Sequence, residues 1–172
     1  MRNHTVILAG PAGVGKTELA KRYANALDLD CASFFWISDC GKQQNGNGQS
    51  DGAYGSSPNR KPNPDWPHNY LEAINQNRSK YDYILIFTRL EKQNFANLDY
   101  KFIFPAKEAV PETEQRLAAR GEPWARLVYA DYDKHLEYAR TFGKPINFIK
   151  PGQTLETYLL ENQHKYPPLV KK

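Results

Sequence analysis

Apolar residues in this chain are grouped in two ways, and the grouping predicts an alternating α/β architecture. Short, nearly uninterrupted apolar runs lie at 5–9, 32–37, 81–87, 100–104 and 145–149. They are rich in β-branched and aromatic residues, and their length suits strands buried on both faces of a parallel sheet. Between them, apolar residues recur at helical spacing. Leu19, Ala20, Tyr23, Ala24 and Leu27 form one such set, Tyr70, Leu71 and Ile74 a second, and Leu127, Val128, Tyr132, Leu136 and Ala139 a third. Boundary residues sharpen these helices. Asp65 is placed to cap a helix over 67–77, and Pro111 to open one that stops near Gly121. The third set runs from Pro123 to about Phe142 before Gly143, and a closing helix spans 154–161. A short helix is expected over 90–95. Strands alternating with helices imply one α/β domain over 1–172, its parallel sheet covered on both faces.

Two stretches break the pattern. From 41 to 64 the chain turns to Gly, Asn, Gln, Ser and Pro with almost no aliphatic residues, which predicts a flexible insertion within the domain. The segment 165–172 bears Pro and Lys and is expected to fray.

Composition narrows the class. With 172 residues, 40% hydrophobic and 24% charged, the chain is large enough and apolar enough for a full core. No apolar run is long enough for a bilayer, and the first residues lead straight into a strand, so a cytoplasmic protein without membrane association is expected. Cys31 and Cys40 lack metal-ligand or CxxC spacing and are expected as reduced thiols. His4, His68, His135 and His164 are scattered and suggest no metal centre. The formal net charge of +4 suits a polyanionic nucleotide or nucleic acid, but no concentrated Lys/Arg run marks a nucleic-acid surface.

The chemistry concentrates in Gly10-Pro11-Ala12-Gly13-Val14-Gly15-Lys16-Thr17, which fits G-x-x-x-x-G-K-[ST] between a strand and a helix. Glycines let such a loop wrap phosphate groups with its backbone N–H groups, so Gly10, Ala12, Gly13, Val14 and Gly15 are candidate nucleotide-binding positions. Lys16 is placed to reach the β- and γ-phosphates, and the Thr17 hydroxyl to ligate Mg²⁺. The expected ligand is a nucleoside triphosphate with Mg²⁺. The run ending at Phe87 is followed by Thr88-Arg89, without the aspartate that holds magnesium in motor-type ATPases.

Together with Asp39 after the run at 32–37, Trp66-Pro67-His68-Asn69-Tyr70, Tyr81-Asp82-Tyr83-Ile84 and Arg116…Arg120-Gly121, this loop makes the chain resemble the P-loop nucleoside and nucleotide kinases. The resemblance extends to small deoxynucleoside monophosphate kinase-like proteins of bacteriophages and covers most of the chain, the loop being its specific part. It implies a three-layer P-loop NTPase sandwich with strand order 2-3-1-4-5, ATP as the donor, and a small arginine-bearing lid at 106–122. It also implies roles for particular residues. Arg116 and Arg120, four apart on one helix face, would stabilise charge on a transferring phosphoryl group; the alternative is a solvated face pairing with Glu112 or Glu108. Asp39 would contact an acceptor hydroxyl, as a base, or the metal's water shell; the alternative is a turn residue before Gly41. Arg89 resembles the arginine that holds an acceptor phosphate. Trp66 and Tyr70, with Tyr54, would stack on an acceptor base or pack in the core. Pro151 and Gly152 stand where such kinases cradle adenine, or form a plain turn.

The function expected from the sequence is therefore ATP-dependent transfer of a γ-phosphoryl group to a nucleotide or nucleoside-like acceptor. A hydroxyl of a polynucleotide or of a hydroxymethylated DNA base is the alternative acceptor. A regulatory, non-kinase nucleotide-binding ATPase is the alternative class.

Overall fold

A computed structural model describes residues 5–38, 60–88, 90–121 and 128–172. In chain order the elements are β1 (Val6–Ala9), α1 (Lys16–Arg22), β2 (Ala26–Asp28), α2 (Ala32–Phe35), β3 (Trp36–Ser38), β4 (Arg60–Pro62) and α3 (His68–Asn77). Then follow β5 (Tyr83–Ile86), α4 (Lys92–Phe95), β6 (Lys101–Pro105), a 3₁₀ turn (Lys107–Ala109), α5 (Val110–Ala118), α6 (Tyr132–Arg140), β7 (Ile146–Ile149) and α7 (Leu155–Glu161). β1 is the centre of a five-stranded parallel sheet ordered β2-β5-β1-β6-β7, with Ile7 opposite Ile84 and Ala9 opposite Ile86 and Phe102.

Successive strand residues point to opposite faces, and the buried residues divide accordingly. Ile7, Ala9, Ile84, Ile86, Phe102 and Phe104 pack with Tyr70 and Ile74 of α3, Phe95 of α4, Leu117 of α5, and Leu136 and Ala139 of α6. Leu8, Tyr83, Leu85, Ile103 and Ile149 pack with Leu19 of α1, Leu155 and Leu159 of α7, and Tyr166. The sheet is thus the middle of three layers, as the unbroken apolar runs require. No helix among the described residues is long and apolar enough to cross a membrane.

The expected strand order is corrected in its second member. Counted over all strands the sheet reads 2-5-1-6-7, because an antiparallel pair, β3 with β4, stands outside it. With that pair set aside the ranks are 2-3-1-4-5, but the second place belongs to Ala26–Asp28 and not to 32–37. α1 stops at Arg22 since Tyr23 turns to extended backbone (φ −120°, ψ 127°) and bridges Lys171. Ala26, Leu27 and Asp28 then pair with β5 and occupy the edge that 32–37 was expected to fill. The Asp30 carboxylate accepts from the Ala32 N–H (3.1 Å) and the Ser33 hydroxyl donates to the Asp30 carbonyl (3.0 Å), so 32–35 winds into a helical turn. Asp65 does not cap α3 with its side chain; Pro67 stands at that position.

The tail is docked, not frayed. Tyr166 is buried. Beyond it, Asn25 donates to the Pro168 carbonyl (2.8 Å) and accepts from the Val170 N–H (2.9 Å), while the Ala24 N–H donates to the Val170 carbonyl (2.7 Å). Asn25 is a buried polar residue and also donates to the Asp82 carboxylate (2.7 Å), so its amide is fully used.

Six tyrosines, Tyr70, Tyr83, Tyr100, Tyr129, Tyr132 and Tyr166, have their phenol pKa raised above 10.0, first of all by burial. Unfolded phenols ionise near pH 10 while these stay protonated in the fold, so their contribution is present below that pH and lost above it. An alkaline titration followed by phenolate absorbance should show this group ionising in one cooperative step with unfolding. Smooth ionisation of every tyrosine near pH 10 in a folded chain would contradict it.

Candidate functional site

The loop 10–17 emerges from the carboxyl end of β1, with its neighbours packed close. Gly10 has no room for a side chain: a Cβ there would meet Ile103 Cγ2 at 2.9 Å and Val14 Cγ2 at 3.0 Å. Gly13, at φ +86°, would place a Cβ 2.7 Å from Thr113 Cγ2 and 2.9 Å from Leu117 Cγ, so α5 lies directly against the loop. Gly15 precedes α1 at φ +104°, a conformation side-chain-bearing residues rarely adopt. The Ala12 carbonyl is held by the Tyr129 hydroxyl at 2.6 Å. Among the described residues, the backbone N–H groups of Ala12, Gly13, Val14 and Gly15 donate to no backbone carbonyl, which leaves them available to an anion.

Lys16 folds over this loop. Its ammonium donates to the Gly10 carbonyl (2.6 Å) and the Pro11 carbonyl (2.8 Å) and sits 5.7 Å from the centre of the Phe87 ring. Burial holds its pKa below 10.5, opposed by the charges of Asp28 and Asp30 and assisted by Arg120. Thr17 donates its hydroxyl to Asp28 Oδ2 at 2.6 Å. Asp28 ends β2, beside β5, so the carboxylate at the end of the sheet's second strand is Asp28. It was missed in the sequence because Leu27 was read into the helical spacing of α1. The alternation of Leu27, Asp28 and Leu29 is the short strand signal that marks it.

Arg116 lies on α5, which is anchored through buried Thr113 and Leu117, whereas Arg120 falls in the turn just beyond the helix end, so the two do not share one helix face as expected. Arg116 is half-buried, 3.8 Å from Glu112 Oε1 and within 3.4 Å of the Thr113 hydroxyl, to which it donates. Its Nε is buried with no hydrogen-bond acceptor among the described residues. Arg120 is more exposed and lies 4.0 Å from Glu18 of α1. Pro151 and Gly152 form an exposed turn between β7 and α7, and the Gly152 N–H donates to Glu112 Oε2 at 2.7 Å.

Two other expected site residues, Tyr70 and Trp66, pack in and against the core cluster. Tyr70 is fully buried, donates its hydroxyl to the Leu29 carbonyl (2.7 Å) and offers no open face to a base. This corrects its assignment as a stacking surface. Trp66 is partly exposed but packs against Tyr70 (ring centres 5.4 Å apart) and Phe35 (5.2 Å). Asp39 and Arg89, with Tyr54, lie outside the described residues. Asp39 follows β3, which is not a strand of the parallel sheet.

Phosphates and a cation fit this arrangement. The loop N–H groups and the Lys16 ammonium could supply donors to an anion, with the half-buried Arg116 on the adjoining α5. Thr17 and Asp28 supply two oxygen ligands, few enough to suit magnesium, which keeps most of its waters. No cluster of three His, Cys, Asp or Glu side chains exists among the described residues. A separate open groove of about 480 Å³, walled by Lys107, Tyr132, Asp133, Leu136 and Phe148 among others, shares no residue with the loop. Its two cations, Lys107 and Arg140, are paired with Asp133 and Glu137. No family model, curated protein or solved structure matches this chain significantly.

Proposed function

We propose that the chain is a phosphotransferase, binding a nucleoside triphosphate with Mg²⁺ at 10–17 and passing its γ-phosphoryl group to a nucleotide or nucleoside-like acceptor. The observation that carries this reading is the Thr17–Asp28 hydrogen bond beside Lys16, in a loop of sequence G-x-x-x-x-G-K-T. It supplies the acidic group that Thr88-Arg89 lacks at the end of β5. The bound nucleotide would supply the phosphoryl group. Lys16, the loop N–H groups and Arg116 would hold its charge, Thr17 and Asp28 the cation, and the turn at Pro151 and Gly152 would lie on the base side. The test is uptake of label from γ-³²P ATP across nucleosides, nucleoside monophosphates and oligonucleotides. Hydrolysis with no labelled acceptor would instead favour the regulatory ATPase.

Asp28 takes over the role expected of Asp39, because it stands at the end of a sheet strand where ligands gather. Asp28→Asn keeps the shape and removes the charge, and should lower kcat by about 10²-fold. A raised Mg²⁺ requirement would assign Asp28 to the cation. Loss of the acidic limb of the pH–rate profile would assign it as base to a hydroxyl acceptor. An unchanged kcat would remove it from the site.

A further inference from the structure

Glu112 reaches both Arg116 on α5 and the 150–153 turn. Oε2 accepts the Gly152 N–H at 2.7 Å, a charge-assisted hydrogen bond, whereas Oε1 faces Arg116 at 3.8 Å, too far for a hydrogen bond. The two oxygens therefore do different things. One fixes the turn, and the other restrains a guanidinium by charge alone, its Nε having no acceptor among the described residues. α5 is packed closely on the loop through Thr113 and Leu117 beside Gly13.

We propose that Glu112 is a positioning residue through which phosphate binding at Arg116 is felt by the turn at Gly152. This rests on the nucleoside-triphosphate reading above. Phosphate oxygens that draw the guanidinium towards the loop take a counter-charge from Glu112. Its negative charge then falls more fully on the Gly152 N–H, and that hydrogen bond tightens. By reciprocity, a base that settles the turn favours the Arg116 orientation that meets the phosphates. An ordinary acid in the first turn of a helix would also favour α5, but would transmit nothing.

The probe is inorganic tripolyphosphate with Mg²⁺, which has no base to touch the turn. It is titrated into the ¹⁵N-labelled full chain, following backbone amides and the Arg116 Nε–H by NMR. In the wild type the amides of Gly13 and Gly15 and the Arg116 Nε–H should shift, and Gly152 amide exchange should slow by about 5-fold or more. In Glu112→Ala the loop signals should still respond while Gly152 no longer does. Glu112→Gln, which can still accept from Gly152 but carries no charge, should show a weakened response. A Gly152 amide that ignores tripolyphosphate in the wild type, although the loop signals move, would overturn the inference alone. So would a full response in folded Glu112→Ala. Loop signals unmoved by either tripolyphosphate or ATP would overturn the nucleotide reading, and the inference with it.

Discussion

Lys16→Ala should lose phosphoryl transfer by about 10²- to 10³-fold or more while keeping the fold. The expectation follows from where the ammonium sits. Two of its three donors are held by the Gly10 and Pro11 carbonyls, so it is oriented over the loop without being consumed by a carboxylate. Its side chain does not anchor the core, which is built from the two apolar layers around the sheet. Circular dichroism should therefore match the parent. The pH dependence has a definite sign. Burial lowers the folded pKa below 10.5, so affinity for the triphosphate should fall as pH rises through that lowered value. The same shift disfavours the folded state while Lys16 is charged, and that cost disappears as the pH approaches 10.5. Its contribution to stability and the binding should thus move in opposite directions across one window. Unchanged turnover in folded Lys16→Ala would sink the kinase reading.

Arg116→Ala should lower kcat by about 10³-fold, and Arg120→Ala by far less. The spacing of the two arginines in the sequence gave no ground to rank them; their surroundings do. Arg116 lies over Thr113, which packs on Gly13, and carries a buried Nε with no acceptor among the described residues. A buried donor left unmet is costly, and an anion bound at the loop would meet it. Arg120 is exposed and pairs loosely with Glu18, where solvent screens its charge. Steady-state kinetics of the two variants decide the order. Equal, wild-type kcat values would make α5 a packing helix with a solvated edge.

The sequence was most informative where one physical requirement dominates. Short apolar runs at 6–9, 83–86 and 102–104 read as strands covered on both faces, and the loop declared itself by glycine spacing. It was least informative where short segments compete. Tyr23, Ala24 and Leu27 satisfy helical spacing, yet Asn25 can be fully hydrogen-bonded only if the chain leaves the helix and meets residues 168–170. That long-range demand is invisible to local periodicity. Misreading it displaced the second strand from 26–28 to 32–37 and hid the carboxylate that ends it, Asp28. Tyr70 illustrates the other limit, since an aromatic beside an active-site segment serves equally for stacking or packing until its burial is known.

The docked tail has a consequence for how the chain is made. Asn25 is joined to residues 143 and 145 positions away, and the Lys172 ammonium donates to the Ala20 carbonyl 152 positions away. During vectorial synthesis the corner between α1 and β2 therefore emerges early and waits for residues 166–172 before its polar groups are satisfied. Topologies closed by such distant contacts fold slowly, and their incomplete forms expose apolar surface. Nascent chains stalled with residues 166–172 still inside the ribosomal tunnel should remain protease-sensitive, and acquire resistance only once those residues have emerged.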